Sequence, residues 1–290
     1  MEYLLLLLVV PLFFPDLFNF GGDDSDTDTD IEGPATHGPD QTGTAAGEEL
    51  IGTDLIDDIR AGDGDDAVAA GAGADTVDGE AGSDELAGEE GDDLLFGGAG
   101  TDFIDGGSGN DTIWMGEGDD FLLVDGDIDP ELGLDTGSSG DDQISGGGGD
   151  DEMLDTKGSN TMYGELGQDI LIGFDDTGTN AADSLFGGWG DDNIWGDDGD
   201  TMSGGGMNDQ FVNRVDESTD KAVIITDFDG LDDTLLVDVT AVDPDATDAD
   251  LSSTTDPQSG DVSVFVAGQL VATLKNPTAF DLSRVEVFVS

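Results

Sequence analysis

Residues 61–123 read AGDGDDAVA (61–69), AGAGADTVD (70–78), GEAGSDELA (79–87), GEEGDDLLF (88–96), GGAGTDFID (97–105), GGSGNDTIW (106–114) and MGEGDDFLL (115–123). The chain here falls into nines without a gap. The fourth residue of every unit is glycine (Gly64, Gly73, Gly82, Gly91, Gly100, Gly109, Gly118) and the sixth is aspartate (Asp66, Asp75, Asp84, Asp93, Asp102, Asp111, Asp120). The eighth is aliphatic (Val68, Val77, Leu86, Leu95, Ile104, Ile113, Leu122). Chance does not hold three positions in register through seven units, and a fixed period signals an architecture of stacked repeats. Residues 52–60 form a degenerate leading unit, with Asp57 and Ile59 in phase but Leu55 where glycine belongs.

After an interruption at residues 124–136, which contains Pro130, the nines resume in worn form. GSSGDDQIS (137–145), GGGGDDEML (146–154) and GELGQDILI (164–172) keep the pattern, while DTKGSNTMY (155–163) has Asn160 in place of the aspartate. Gly173 to Phe186 carries an insertion, GGWGDDNIW (187–195) is clean, Gly196 to Ser203 is one residue short, and GGGMNDQFV (204–212) has Met207 for glycine. The sixth-position aspartates of this block are Asp142, Asp151, Asp169, Asp192 and Asp209. Whether one roll or two forms across residues 124–136 stays open at this level.

Glycines at the start of each nine permit the positive φ of a sharp turn and leave its carbonyls uncovered. The sixth-position carboxylate joins those carbonyls in an all-oxygen set suited to a hard, flexible cation such as Ca2+. Three residues remain for one short strand whose middle side chain faces inward. Turn, strand, turn, strand closes a coil of two units. Coils stacked as parallel strands ~4.8 Å apart place each aspartate over the one two units along, Asp66 near Asp84 and Asp75 near Asp93. Carboxylates so close repel unless a cation lies between them. One inward aliphatic residue per nine offers little apolar area against the entropy of ordering the chain. Residues 61–123 hold 18 carboxylates and no basic residue, so cation binding and folding are expected to be one coupled equilibrium. The competing description, a Gly/Asp tract disordered in all conditions, does not explain the register.

These units resemble the GGxGxDxUx nonapeptide of the RTX (repeats-in-toxin, hemolysin-type) calcium-binding proteins, closely over residues 61–123 and more loosely over 137–212. The resemblance implies an all-β fold, a parallel β-roll (right-handed β-solenoid) of nine-residue repeats, two per coil, with a strand-rich C-terminal cap. It also implies several Ca2+ ions, with Asp66, Asp75, Asp84, Asp93, Asp102, Asp111, Asp120, Asp142, Asp151, Asp169, Asp192 and Asp209 as the side-chain ligands.

Composition narrows the function classes. Against 70 Asp+Glu stand 6 Lys+Arg, a formal net charge of -64 over 290 residues. Such a surface repels nucleic acid and anionic membrane faces and favours cations. The absence of Cys removes disulfides and thiolate chemistry, and the single histidine, His37, excludes a two-histidine metal site. His37 reads as a solvated linker residue. Neither a nucleophile elbow nor a phosphate loop is present, so an enzyme would have to work with carboxylates alone.

The chain divides into an apolar N-terminal segment (1–20), an acidic linker (21–51), a first roll block (52–123), the interruption (124–136), a degenerate second block (137–212) and a C-terminal β cap (213–290). Tyr3 to Phe14 is uncharged but too short to span a bilayer comfortably. Its length suits a signal-peptide core, yet Glu2 stands where a basic residue belongs and no small-x-small cleavage site follows. A targeting or anchoring segment and a hydrophobic stub packed on the end of the fold are both open. The runs Asp26-x-Asp28-x-Asp30 and Asp125-x-Asp127-x-Asp129 start like EF-hands, but Ile31 and Pro130 break the loop pattern, so both read as solvated carboxylates. Trp114, Trp189, Trp195, Phe96 and Phe186 fall at or near the outward ninth position, where they either cover a roll face or offer a platform to a carbohydrate or protein.

In the cap, Val223–Val239 reads as strand, turn at Asp229-Gly230, strand, and Ser263–Leu274 as a hairpin around Ala267-Gly268. IITDFDGLDD resembles the segment that closes RTX repeat arrays, and the terminal Glu286-Val-Phe-Val-Ser is similar to the type I secretion signal of that family. The same residues also suit a plain final strand. The leading expectation is a non-enzymatic, secreted or surface-associated Ca2+-binding roll. The alternatives are an adhesin or matrix-type protein held to a membrane through residues 1–20, or an accessory module of a polysaccharide-acting enzyme.

Overall fold

The computed structural model describes residues 37–124, 140–155, 157–174, 181–197, 199–215, 221–239, 247 and 250–288. The apolar segment 1–20, both Asp-x-Asp-x-Asp runs and nearly all of the interruption lie outside them. No α-helix occurs among the described residues, and no helix there is long and apolar enough to cross a membrane.

Each nonapeptide contributes one strand, and successive strands go alternately to two sheets. Thr76–Ala81, Leu94–Ala99 and Thr112–Glu117 lie side by side in one, while Ala67–Gly71, Glu85–Ala87, Phe103–Asp105 and Phe121–Val124 lie side by side in the other. Pairing is parallel and in register, Val77 on Leu95 on Ile113 and Val68 on Leu86 on Ile104 on Leu122. The sheets reach thirteen and eleven strands. The eighth-position side chains between them form the core, from Val68 through Ile113 and Ile144 to Met202, each at most 4% exposed. In the thirteen-stranded sheet the repeat strands run six residues, against three to five in the other, because the chain stays extended through the first three positions of the following unit.

The register runs straight through the interruption. Thr112 pairs with Gln143 and Phe121 with Glu152, so the coils on either side of the interruption belong to one continuous roll. The other irregularities before Val223 lie on that same edge. The insertion between Gly173 and Ser184, the short unit and the segment between Arg214 and Val223 all fall in turns leading from the eleven-stranded to the thirteen-stranded sheet. Turns in the opposite direction are regular up to Phe211; the last, between Ile225 and Thr234, is longer.

The roll also begins earlier than the in-phase nines. Gln41–Thr42, within the stretch read as acidic linker, and Glu49–Thr53, which straddles its end, are strands of the two sheets, and His37 bridges to Ile56. At the other end Val223–Ile225 and Thr234–Asp238 form a further coil in opposite sheets rather than a hairpin. Leu251–Thr255, Val262–Val266 and Gln269–Leu274 are then added antiparallel to one another, the last two joined through Ala267 (φ 48°) and Gly268 (φ 87°), the two positive φ angles of a type I′ turn. Val285–Phe288 closes the eleven-stranded sheet. Phe211, Phe228, Val264 and Leu274 give this end a fuller apolar core than the repeats have.

Candidate functional site

Two ladders of aspartate run along the edges of the roll. On the regular edge, Oδ1 of Asp84 accepts the backbone N–H of Asp66 at 2.9 Å, and the step repeats from Asp84 to Asp102 (2.9 Å) and from Asp102 to Asp120 (2.9 Å). It continues through Asp151 (3.0 Å), Asp169 (2.9 Å), Asp192 (3.0 Å) and Asp209 (3.1 Å) to Asp233 (3.0 Å). On the irregular edge the same bond links Asp57, Asp75, Asp93, Asp111, Asp142, Asn160, Asp183 and Asp200. All these side chains are buried.

One oxygen of each carboxylate is thus used to clamp the neighbouring coil. The other, Oδ2, meets no hydrogen-bond partner at Asp66, Asp75, Asp84, Asp93, Asp102, Asp120, Asp151, Asp169 and Asp192. Buried polar atoms are normally satisfied, and a repeated orphan at one position points to a missing positive or donating group. Two carboxylates one strand spacing apart repel by about 3 kcal/mol at an effective dielectric constant of ~20. No three carboxylate or histidine residues among those described converge on one point. An ion here would take paired aspartates from adjacent coils and complete its shell with turn carbonyls, a donor set of oxygens alone.

Glycine serves two different ends. At the first position it leaves room for the orphan oxygen of its own unit: a Cβ on Gly97 would lie 2.7 Å from Asp102 Oδ2, and one on Gly164 2.3 Å from Asp169 Oδ2. At the fourth position the carbonyl of one coil points at the glycine of the next, where a Cβ on Gly100 would stand 1.5 Å from Gly82 O, and φ is 149°. The second position also takes positive φ, even where Glu80 (69°), Glu89 (73°) and Glu165 (73°) occupy it.

Burial raises the carboxyls, to about 6 at Asp84, Asp102, Asp169 and Asp192 and about 7 at Asp93, Asp151 and Asp209. The charge of neighbouring carboxylates adds to the rise, and the donated N–H opposes it. Asp200, where burial is joined by the charge of Asp183, reaches about 9.

The family model of the RTX calcium-binding nonapeptide repeat matches four times, over residues 51–86, 87–122, 136–171 and 177–202. The chain belongs to the RTX nonapeptide-repeat proteins. No curated protein matches it. The matched spans of this RTX protein end before Asp209 and Asp233, although the aspartate ladder continues through both.

All twelve aspartates named from the nines of the RTX protein stand in the ladders. The ladders also take in Asp57, Asp183, Asp200, Asp233 and Asn160. Insertions and a deletion hide Asp183, Asp200 and Asp233 from a strict nine-residue count, whereas Asp57 and Asn160 stand in phase; each of the five keeps the local signature of a polar ladder residue two before a buried Ile, Leu or Met (Leu185, Met202, Leu235, Ile59, Met162). An outer rail went unread altogether: fifth-position side chains accept the fifth-position N–H of the next coil, as Asp65 does from Ser83 (3.0 Å), Asp92 from Asn110 (2.9 Å) and Asp150 from Gln168 (2.8 Å). The two rails pull in opposite directions and lock each turn to both neighbours.

The aromatic residues stack along the roll axis. Phe96 on Trp114 (4.9 Å, 9° between planes), Phe103 on Phe121 (5.0 Å, 9°) and Tyr163 on Phe186 (4.9 Å, 10°) are cross-strand stacked pairs in which each ring covers one face of the other. Trp195 packs edge-on to Phe174, while Trp189 remains 70% exposed.

Proposed function

We propose that this protein is a non-enzymatic, secreted or surface-associated calcium-binding β-roll whose folding is coupled to ion uptake. The observation that carries the reading is the file of buried, partnerless Oδ2 atoms in register along both edges. The sixth-position aspartates from Asp66 to Asp209 would hold the ions, through the partnerless Oδ2 at Asp66, Asp75, Asp84, Asp93, Asp102, Asp120, Asp151, Asp169 and Asp192, while their Oδ1 atoms keep the coils in register through N–H bonds. Bound Ca2+ supplies the positive charge that lets stacked carboxylates stay ionised in a buried file. Family membership supports calcium as the ion. Sites of the affinity usual in extracellular modules, 10^-4 to 10^-3 M, stay empty inside a cell and fill outside, which fits export of an unfolded chain. Calorimetric titration of chelator-treated protein with CaCl2 tests the reading: multiple ions per chain support it, and no heat of binding at millimolar calcium sinks it.

A further inference from the structure

The nonapeptide 155–163 departs from its neighbours in one internally consistent way. Asn160 is 1% exposed and its Oδ1 accepts the Asp142 N–H at 2.9 Å, as an aspartate does in the other coils. Its second atom, however, is not an orphan. Nδ2 donates to the carbonyl of Lys157, in the same turn, at 2.9 Å. The orientation of the amide is fixed, because turning it over would set NH2 against N–H and oxygen against carbonyl.

The first position, glycine in most repeats and Ala or Met in the others of the first block, is Asp155, fully buried and accepting the Lys157 N–H at 3.0 Å. Lys157 is also the one basic residue between residues 61 and 212. This unit has therefore lost a ladder carboxylate, while in the same nine residues it has gained a buried carboxylate at its first position and an ammonium group two residues on.

We propose that residues 155–163 form a cation-free coil, in which the Asn160 amide takes the place of a bound ion and Lys157 balances the local charge. An amide that presents its hydrogens toward a turn carbonyl repels a cation from the space that an orphan Oδ2 leaves open elsewhere. The irregular edge is then divided into two separate files, one ending at Asp142 and one beginning at Asp183, while the regular edge runs unbroken from Asp66 to Asp209. The inference rests on the calcium reading above and refines which coils take ions.

The test counts calcium by calorimetry and equilibrium dialysis on the full chain and on Asn160→Asp and Asn160→Ala. Asn160→Asp is expected to bind about one more ion per chain than the parent. Asn160→Ala is expected to keep the parent stoichiometry with a lowered thermal midpoint in calcium. An unchanged count in a folded Asn160→Asp, or a lowered count in Asn160→Ala, overturns the proposal, the latter by making Asn160 a ligand. If Asn160→Asp does not fold, the Asn160→Ala count alone decides. A parent chain that binds no calcium refutes the functional reading itself and this refinement with it, an outcome distinct from failure of the refinement alone, which leaves the parent count intact.

Discussion

Asp84 accepts the backbone N–H of Asp66 through one carboxylate oxygen at 2.9 Å and leaves the other oxygen buried without a partner. The two halves of that side chain face different demands. Oδ1 is satisfied by the chain alone and sets the stacking register; Oδ2 is satisfied only if something else arrives. Repeated along both edges, this half-satisfaction makes the roll conditional.

Asp102→Asn separates the two roles. The amide oxygen can still accept the Asp84 N–H, but the charge and the free oxygen are lost. The variant should bind about one calcium fewer and melt lower in calcium, whereas Asn at the exposed third-position Asp63 should change stability by less than ~0.5 kcal/mol. Calorimetric stoichiometry with thermal melts of both proteins checks this.

Acid and calcium should act on the same groups. Carboxyls raised to about 6 or 7 in the ion-free roll, against ~4 in the unfolded chain, stabilise that roll when protonated. The contribution is full below pH ~4 and is lost as pH rises through 6 to 7. Metal-free protein should therefore gain strand signal on acidification from pH 8 to 4, while calcium affinity should fall as pH drops through 7 to 6. Circular dichroism of metal-free protein and calcium titrations at several pH values would show both trends, and a flat response would contradict the burial of these carboxyls.

Gly100→Ala should be severe. The new Cβ would lie 1.5 Å from Gly82 O at a φ of 149°, which combines backbone strain with overpacking against a carbonyl that cannot rotate away. A loss of more than ~3 kcal/mol in the calcium-loaded state is expected from the two effects, measurable by denaturant unfolding.

Met207→Gly should go the other way. Met207 holds a φ of 96° at a fourth position and is 60% exposed, so the side chain adds strain with little burial in return. Glycine should stabilise the loaded protein by ~1 kcal/mol, net of its own entropy cost, seen as a higher melting temperature.

The parallel roll was legible because its determinants are local. Glycine, aspartate and an aliphatic residue at fixed spacing dictate turn, clamp and inward strand within nine residues. The extension of the roll was less legible, since Asp200 and Asp233 sit in units whose length has changed, and only stacking on Asp183 and Asp209 reveals their place. The unity of the roll across residues 124–136 depends on the pairing of Thr112 with Gln143, a contact no local pattern encodes. Asn160 reads in the sequence as wear; its second hydrogen bond, to Lys157, depends on a turn geometry that spacing does not specify.

The central claim is that ion uptake and folding are one process. Far-ultraviolet circular dichroism of chelator-treated protein at neutral pH, titrated with calcium while bound ions are counted in parallel, tests it most directly. A sigmoidal gain of strand signal that tracks occupancy of several sites per chain is the expected result. Full strand signal before any calcium is added, or calcium binding with no change in strand content, would contradict it.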